Sequence, residues 1–312
     1  MKISIITCTF NRKEKLLRNI KSVRDQNFFD LEHFIIDDGS TDETLTELEK
    51  LKIKYLKIIP LKNNLGQPAA LFESNVFNLI TGDIYFLLDS DDFLNPGALK
   101  TIIDDSNHYF KKNKKLISIN YSYEEENKNV SGYSIFNSKE IFNDHYARNL
   151  TNKGFKDYLS IKNKNYLMQQ SKYFKKPADW YLSYYHVCAK NDFQEIYTNK
   201  KIYNMDFSDD TVTRGYNIEK YASWSLNTRQ VIYDEYRNIM GKMYKKFAIR
   251  SLFFHYLVNS GNNLNKIRLI LKETKFFLQN FFLIIIFLLS LVTPSILILK
   301  LKKYIKSNKK VR

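Results

Sequence analysis

Residues 89–92 read Asp-Ser-Asp-Asp and close an apolar run, Ile84-Tyr85-Phe86-Leu87-Leu88. Three carboxylates at the end of what reads as a buried strand repel one another where water screens least. Positive charge has to sit there. A hard divalent cation with a preference for oxygen ligands, Mg²⁺ or Mn²⁺, suits such a cluster and usually bridges substrate phosphates as well. A second acidic pair, Asp37-Asp38, follows another apolar run, and Thr9, Asn11 and Arg12 follow a third. Neither GxxxxGK[ST] nor GxGxxG occurs, so the phosphates of a ligand would be held by the metal and not by a glycine loop. An isolated Asp-x-Asp triplet usually decorates a solvated loop; the strand ends around this one give it a context.

The elements that must position these residues alternate. Ile3–Thr9 is rich in β-branched residues and reads as a buried strand, and Leu16, Leu17, Ile20 and Val23 then recur at helical spacing. Phe34–Ile36 predicts a second strand, with Ser40 and Glu43 as a capping box for the next helix. Tyr55–Leu61 predicts a third, followed by the turn Asn63-Asn64-Leu65-Gly66, a helix near 67–80, the strand ending in the acidic cluster, a helix opened by Asn95-Pro96, and a strand over Leu116–Tyr123. Strands alternating with helices imply a mainly parallel sheet wrapped by helices, whose ligands bind beyond the carboxyl ends of the strands. Thr9, Asn11, Arg12, Asp37, Asp38, Asp89, Asp91 and Asp92 all fall at that rim. Residues 124–175 show few clear periods and predict loops and short strands, whereas 217–275 are helical in pattern.

Four motifs in order, Thr7-Cys8-Thr9-Phe10-Asn11-Arg12, Ile35-Ile36-Asp37-Asp38-Gly39-Ser40-Thr41-Asp42, Asn64-Leu65-Gly66, and Gly82-Asp83 leading into Leu88-Asp89-Ser90-Asp91-Asp92, span roughly the first 100 residues. Together they resemble the nucleotide-sugar-binding half of the family 2 glycosyltransferases, which have the GT-A fold. The resemblance implies that Thr9 and its neighbours, Asn11 among them, line the nucleotide pocket, that Asp38 accepts the N–H of a uracil-type base, and that Arg12 lies near the diphosphate. Asp37 would support the ribose or its own loop. Asp89 would approach the ribose, with Ser90 beside it, and Asp91 with Asp92 would hold the metal. Each residue also has a plain reading: Asp37-Asp38-Gly39-Ser40 as a turn feeding a capped helix, Arg12 as a solvated first-turn residue.

The family inverts the anomeric centre, which asks for a base at the acceptor hydroxyl and charge stabilisation of the departing nucleoside diphosphate. Pro177-Ala178-Asp179-Trp180-Tyr181-Leu182 matches the place of the family's acidic motif and nominates Asp179 as that base, although an Asp there also makes a good helix N-cap. Two departures concern the diphosphate. Where the family often carries Ala-Arg-Asn after Asn64-Leu65-Gly66, this chain has Ala69-Ala70-Leu71-Phe72-Glu73-Ser74-Asn75. Near the domain's end, where Arg and His are often followed by SxS, it has Asp206-Phe207-Ser208-Asp209-Asp210-Thr211-Val212-Thr213. The alternative is a silent member of the fold that binds a nucleotide-sugar without transferring it. A phospho-acceptor receiver domain would want its acidic pair after the first strand, where Thr7-Cys8-Thr9 stands.

The formal net charge of +16 is unevenly placed: residues 1–236 hold 33 Lys and Arg against 32 Asp and Glu, and residues 237–312 hold 16 against Glu273 alone. A neutral body with a basic, apolar tail fits an anionic membrane surface better than nucleic acid. Residues 281–299 carry no charge, long enough to cross a bilayer core. Basic flanks on both sides and Pro294 within the run favour a shallow hairpin or interfacial helix pair. Two cysteines and five histidines show no disulfide or metal spacing, and the apolar start reads as too short for a signal peptide. The expected organisation is a GT-A catalytic domain over 1–215 (donor side 1–123, acceptor side 124–215), a helical extension over 216–275 and a membrane-associating tail over 276–312. The expected place is the cytoplasmic face of the membrane, and the expected acceptor a glycan or lipid-linked hydroxyl.

Overall fold

Strands whose residues are apolar on both faces must be covered on both faces, and the first apolar runs of this chain meet that condition. The computed structural model describes residues 1–125, 140–142, 158–173, 194–206, 234, 249, 252–253, 256, 263–281 and 283–285. The chain divides into two units, Met1–Arg214 and Gly215–Arg312. In the first, β1 (Ile3–Thr9), α1 (Lys13–Arg24), β2 (Leu31–Asp37), α2 (Thr44–Lys50), β3 (Leu56–Pro60), α3 (Gln67–Glu73), α4 (Val76–Leu79) and β4 (Ile84–Leu87) follow one another. β5 (Phe93–Leu94), α5 (Ala98–Lys112), β6 (Leu116–Glu125), β7 (Glu140–Phe142), β8 (Leu159–Asn163), α6 (Lys164–Tyr173) and β9 (Gln194–Met205) complete it.

The sheet runs β3-β2-β1-β4-β8-β6-β9-β5, with β7 on β9. β3, β2, β1 and β4 are mutually parallel. Beyond β4 the sheet is mixed: β8 lies antiparallel between β4 and β6, β9 runs parallel to β6, and β5 and β7 run antiparallel to β9. β1 is the hub of the parallel half. Ile3 and Ile5 join the core on one face with Val23, Leu99 and Ile102, and Ile6 joins Phe34, Ala70 and Leu71 on the other, the alternation a pleated strand imposes. Each of these buried Ile, Val, Leu and Phe side chains stabilises by roughly 1.5–3 kcal/mol.

Four expected features differ in the structure, the first being α6, a ten-residue helix where loops and short strands were expected. The helix near 67–80 is two helices, α3 and α4, parted by Asn75 at φ 52, a left-handed conformation that Asn tolerates. Pro96 precedes α5 instead of opening it, because Gly97 at φ 76 is the N-cap. Ser40 and Glu43 form no capping box: Glu43 itself flanks α2, and Ser40 is engaged by the loop at the end of β2.

In the second unit, α7 (Asn263–Lys272) and α8 (Thr274–Gln279) are joined at Glu273. Leu269, Phe276, Phe277 and Leu283 pack there with Ile249, Leu252, Phe253 and Tyr256. Among the described residues no helix is long and apolar enough to cross a membrane; residues 286–299 of the uncharged run lie outside them.

Candidate active site

The ends of β1, β2 and β4 and the loop before α3 meet at one rim. Asn11 sits at φ 50, and its side chain staples the first loop to the second. Its Oδ1 accepts from the Thr41 amide at 2.7 Å and its Nδ2 donates to Thr41 Oγ1 at 3.1 Å. The Asn11 amide donates to Ser40 Oγ at 3.0 Å, and Ser40 Oγ donates to Asp37 Oδ1. Asp37 is thereby tied to its own loop. Burial pushes its carboxyl up, against the hydrogen bonds from Ser40.

Asp38 is buried and clamps the loop before α3: Oδ1 accepts from the Leu65 amide at 2.9 Å and Oδ2 from the Gly66 amide at 2.8 Å. Burial raises its pKa, those two amides oppose the rise, and neighbouring Asp37 adds to it. The close approach needs Gly39, at φ 74, where a Cβ would lie 2.6 Å from the Asn63 carbonyl carbon. The Asp38 amide in turn donates to the Thr9 carbonyl at 2.9 Å. Thr9 is buried and its Oγ1 has no hydrogen-bond partner among the described residues. Beside it the Cys8 thiol is pushed up by burial and by the nearby Asp89 and Asp38 carboxylates.

The positive charge demanded by the acidic cluster comes from α1. Arg12 Nη1 meets Asp91 Oδ2 at 2.6 Å, and Arg18 Nη2 donates to the Asp91 carbonyl at 2.8 Å. The fully buried Asn19 donates through Nδ2 to the carbonyls of Asp89 and Asp92, both at 2.9 Å. Arg18 also lies over the Phe93 ring at 4.5 Å. A further acid closes the group: the Asp206 amide donates to Asp92 Oδ1 at 3.1 Å, and the Asp206 carboxylate pairs with Lys15 at 3.0 Å and Arg18 at 3.5 Å. Lys15, Arg18, Asn19 and Asp206 were not expected at the site. The signal in the sequence for Lys15 and Arg18 is their spacing with Arg12, steps of three along one helical run.

Asp91, Asp92 and Ser90 are buried in the turn, whereas Asp89 is exposed and accepts from Gln67 Nε2 at 3.0 Å. Gln67 stands near where the family's Arg is missing. Among the described residues no three acidic, His or Cys side chains are grouped to hold a metal. Asp91 gives one oxygen to Arg12, and no described group reaches the other, so it can offer one ligand to an ion completed by a diphosphate, which is how Mg²⁺ is commonly held. Asp92 has Oδ1 engaged by Asp206. The expected base Asp179 and its motif over 177–182 lie outside the described residues.

The Glycosyl transferase family 2 model matches residues 4–175. A Campylobacter jejuni GalNAc(5)-diNAcBac-PP-undecaprenol beta-1,3-glucosyltransferase is 36% identical over 111 residues, 34% of this chain and 35% of that protein. The Escherichia coli UDP-Glc:alpha-D-GlcNAc-diphosphoundecaprenol beta-1,3-glucosyltransferase WfaP is 30% identical over 141 residues, 45% of this chain and 53% of that protein. The chain thus spans between a third and about half of the length of these curated relatives. Among solved structures, S. aureus TarS 1–349 in complex with UDP-GlcNAc superposes with a TM-score of 0.57 at 18% identity, covering 85% of this chain and 76% of that one; at that identity the likeness is one of fold. The family match covers more than half of the chain and contains every residue of the rim except Asp206, and on that ground the chain belongs to glycosyl transferase family 2.

Proposed function

We propose that this chain transfers a sugar from a nucleotide-diphospho-sugar, UDP-linked, to a hydroxyl of a membrane-proximal glycan or lipid-linked acceptor at the cytoplasmic face of the membrane. Transfer proceeds with inversion and depends on Mn²⁺ or Mg²⁺. The observation that carries the reading is the convergence of Thr9, Asp38 and exposed Asp89 at one rim, with a buried Thr9 hydroxyl that lacks a partner among the described residues. A buried hydroxyl without a partner costs about 1–3 kcal/mol, and a nucleoside can offer that partner. The family, the UDP-GlcNAc complex of the TarS fold relative and the undecaprenol-linked acceptors named for the two curated relatives support the same class of substrates.

In this reading Thr9 and Asp38 hold the base, Asp89 and Ser90 face the ribose, and Asn11 and Asp37 fix the loop geometry. Arg12 keeps Asp91 aimed, and Asp91 would hold the cation, with Asp92 anchoring the turn. The cation supplies charge neutralisation at the diphosphate. Asp179 takes the acceptor proton. Calorimetric titration with UDP, with and without Mn²⁺, is expected to show binding that needs the metal and is lost in Asp91→Asn; binding of equal strength without metal would remove the metal from the proposal. Asp179→Asn should bind UDP normally and transfer nothing. The missing Arg after Gly66 favours the silent reading, in which the wild-type chain also binds UDP but leaves every UDP-sugar and lipid-linked acceptor unchanged.

A further inference from the structure

Single exposed apolar side chains need no explanation, but regular rows of them do. On α7, Leu264, Ile267 and Leu271 are 71%, 42% and 71% exposed, and on α8 and the turn after it Leu278, Phe281 and Ile285 are 66%, 63% and 42% exposed. The first triplet has the spacing i, i+3, i+7, one side of α7; the second repeats that spacing across the break at Asn280, where φ is -129 and ψ 51. The opposite side of the same segment is the packed one, with Leu269, Phe276 and Phe277 buried in the unit's own core. The segment is therefore amphipathic twice over, and its second apolar side meets solvent.

The length and the charge say what covers it. α7 has ten residues and is about 15 Å long, half a bilayer core, so it can lie on a membrane but not cross it. Rows at heptad spacing also suit a second helix of the same kind. The flanks argue against a second copy. Arg268, Lys272 and Lys275 are exposed beside the rows, Lys272 reaching Asp234 at 3.3 Å, and Glu273 is the sole acid among residues 237–312. Two such surfaces repel, whereas an anionic leaflet attracts each basic residue near it by about 1 kcal/mol.

We propose that residues 264–285 form a docking surface for an anionic lipid bilayer, with the two apolar rows inserted at the headgroup boundary and Arg268 and Lys275 over the phosphates. This goes beyond the sugar-transfer reading and stands or falls without it. It also differs from attachment through the uncharged run alone, which lies mostly beyond these residues.

The test is flotation of the full chain with vesicles of phosphatidylcholine or of equal parts phosphatidylcholine and phosphatidylglycerol. The wild-type chain is expected to float with the mixed vesicles and weakly with the neutral ones. Leu271→Glu and Phe281→Glu, at exposed positions, should keep the circular dichroism and melting temperature of the wild type and lose about tenfold or more in vesicle affinity. The pair Arg268→Ser with Lys275→Ser should cut the preference for phosphatidylglycerol by about tenfold, which a purely structural role would not move. Three results overturn the proposal: no flotation of the wild type with either vesicle, flotation of the Glu variants equal to wild type, or a dimer in solution that the Glu variants turn into monomers.

Discussion

The acidic turn shows how much of a site can be built from local charge balance. Arg12 and Asp91, 16% and 11% exposed, form a pair partly withdrawn from water, and removing one partner of such a pair costs more than the pair contributes. Arg12→Ala is expected to lower stability by about 2 kcal/mol, read from the urea midpoint at constant slope, and Asp91→Asn in the same chain should return part of that loss. Thr9 makes the opposite case. Replacing its unpartnered buried hydroxyl by Thr9→Val should leave the melting temperature unchanged or slightly higher, because the cost of an unsatisfied group disappears, while UDP binding weakens by about tenfold. Loss of stability in Thr9→Val would show that the hydroxyl has a structural partner.

At the scale of elements, β2 carries two ionisable groups besides Asp37, both shifted down where Asp37 is shifted up. Burial alone would raise the Glu32 carboxyl, but Lys57, the Thr81 amide, Ser4 and Lys2 outweigh it and bring the group down to about 2 from 4.5. Burial lowers His33 from 6.5 to about 3; its ring meets Thr7 Oγ1 at 3.0 Å, and Thr7 donates to the Leu88 carbonyl at 2.8 Å. A histidine held neutral when folded binds its proton only when unfolded, so stability is flat above pH 6.5 and declines as pH falls below it. The decline from His33 between pH 6.5 and 5 is about 2 kcal/mol. Glu32 adds its own loss below about pH 4.5, complete near pH 2. Urea unfolding at pH 8 and pH 5 should show the first effect, and His33→Gln should flatten it. Gly39→Ala is expected to cost more than about 2 kcal/mol, since the new methyl meets the Asn63 backbone at a position of positive φ.

The same scale explains what could be read from the sequence. The strands of the parallel half are continuous apolar runs separated by helical periods, and they stand within a few residues of where the pattern puts them. Ser40 misled because a hydroxyl three residues before Glu43 looks like a cap, while the loop it serves is drawn in by Asn11, 29 residues away. β8 and β9 were illegible because the second half of the sheet buries polar groups. Ser118 donates to Glu195 at 2.7 Å, Tyr197 donates to the same carboxylate at 3.0 Å, and Asn120 donates to the Ile196 carbonyl at 3.1 Å. Such residues break the apolar alternation, and the register shifts between β6 and β9 break it again. Asp206 could not be placed without knowing that β9 returns to β5.

Over the whole molecule, charge is divided as sharply as the chain is. Residues 1–236 are close to neutral and residues 237–312 carry an excess of 15 positive charges. Attachment to an anionic surface through the basic part should therefore weaken steadily as salt shortens the Debye length from about 10 Å at 0.1 M to about 3 Å at 1 M, while UDP affinity at the proposed site in the first unit is expected to change much less. Equal salt dependence of the two would place the electrostatic attraction at the rim instead.

The bond from the Asp206 amide to Asp92 joins residues 114 positions apart. On a ribosome adding 5–20 residues per second, Asp206 emerges on the order of ten seconds after the acidic turn. During that interval Arg12, Arg18 and Asn19 are already present, so the nascent turn has its counter-charges before its last anchor. The rim's counter-charges are thus synthesised before its last anchor, and a chain arrested before β9 carries the motifs of the family without Asp206, whose amide bonds to Asp92.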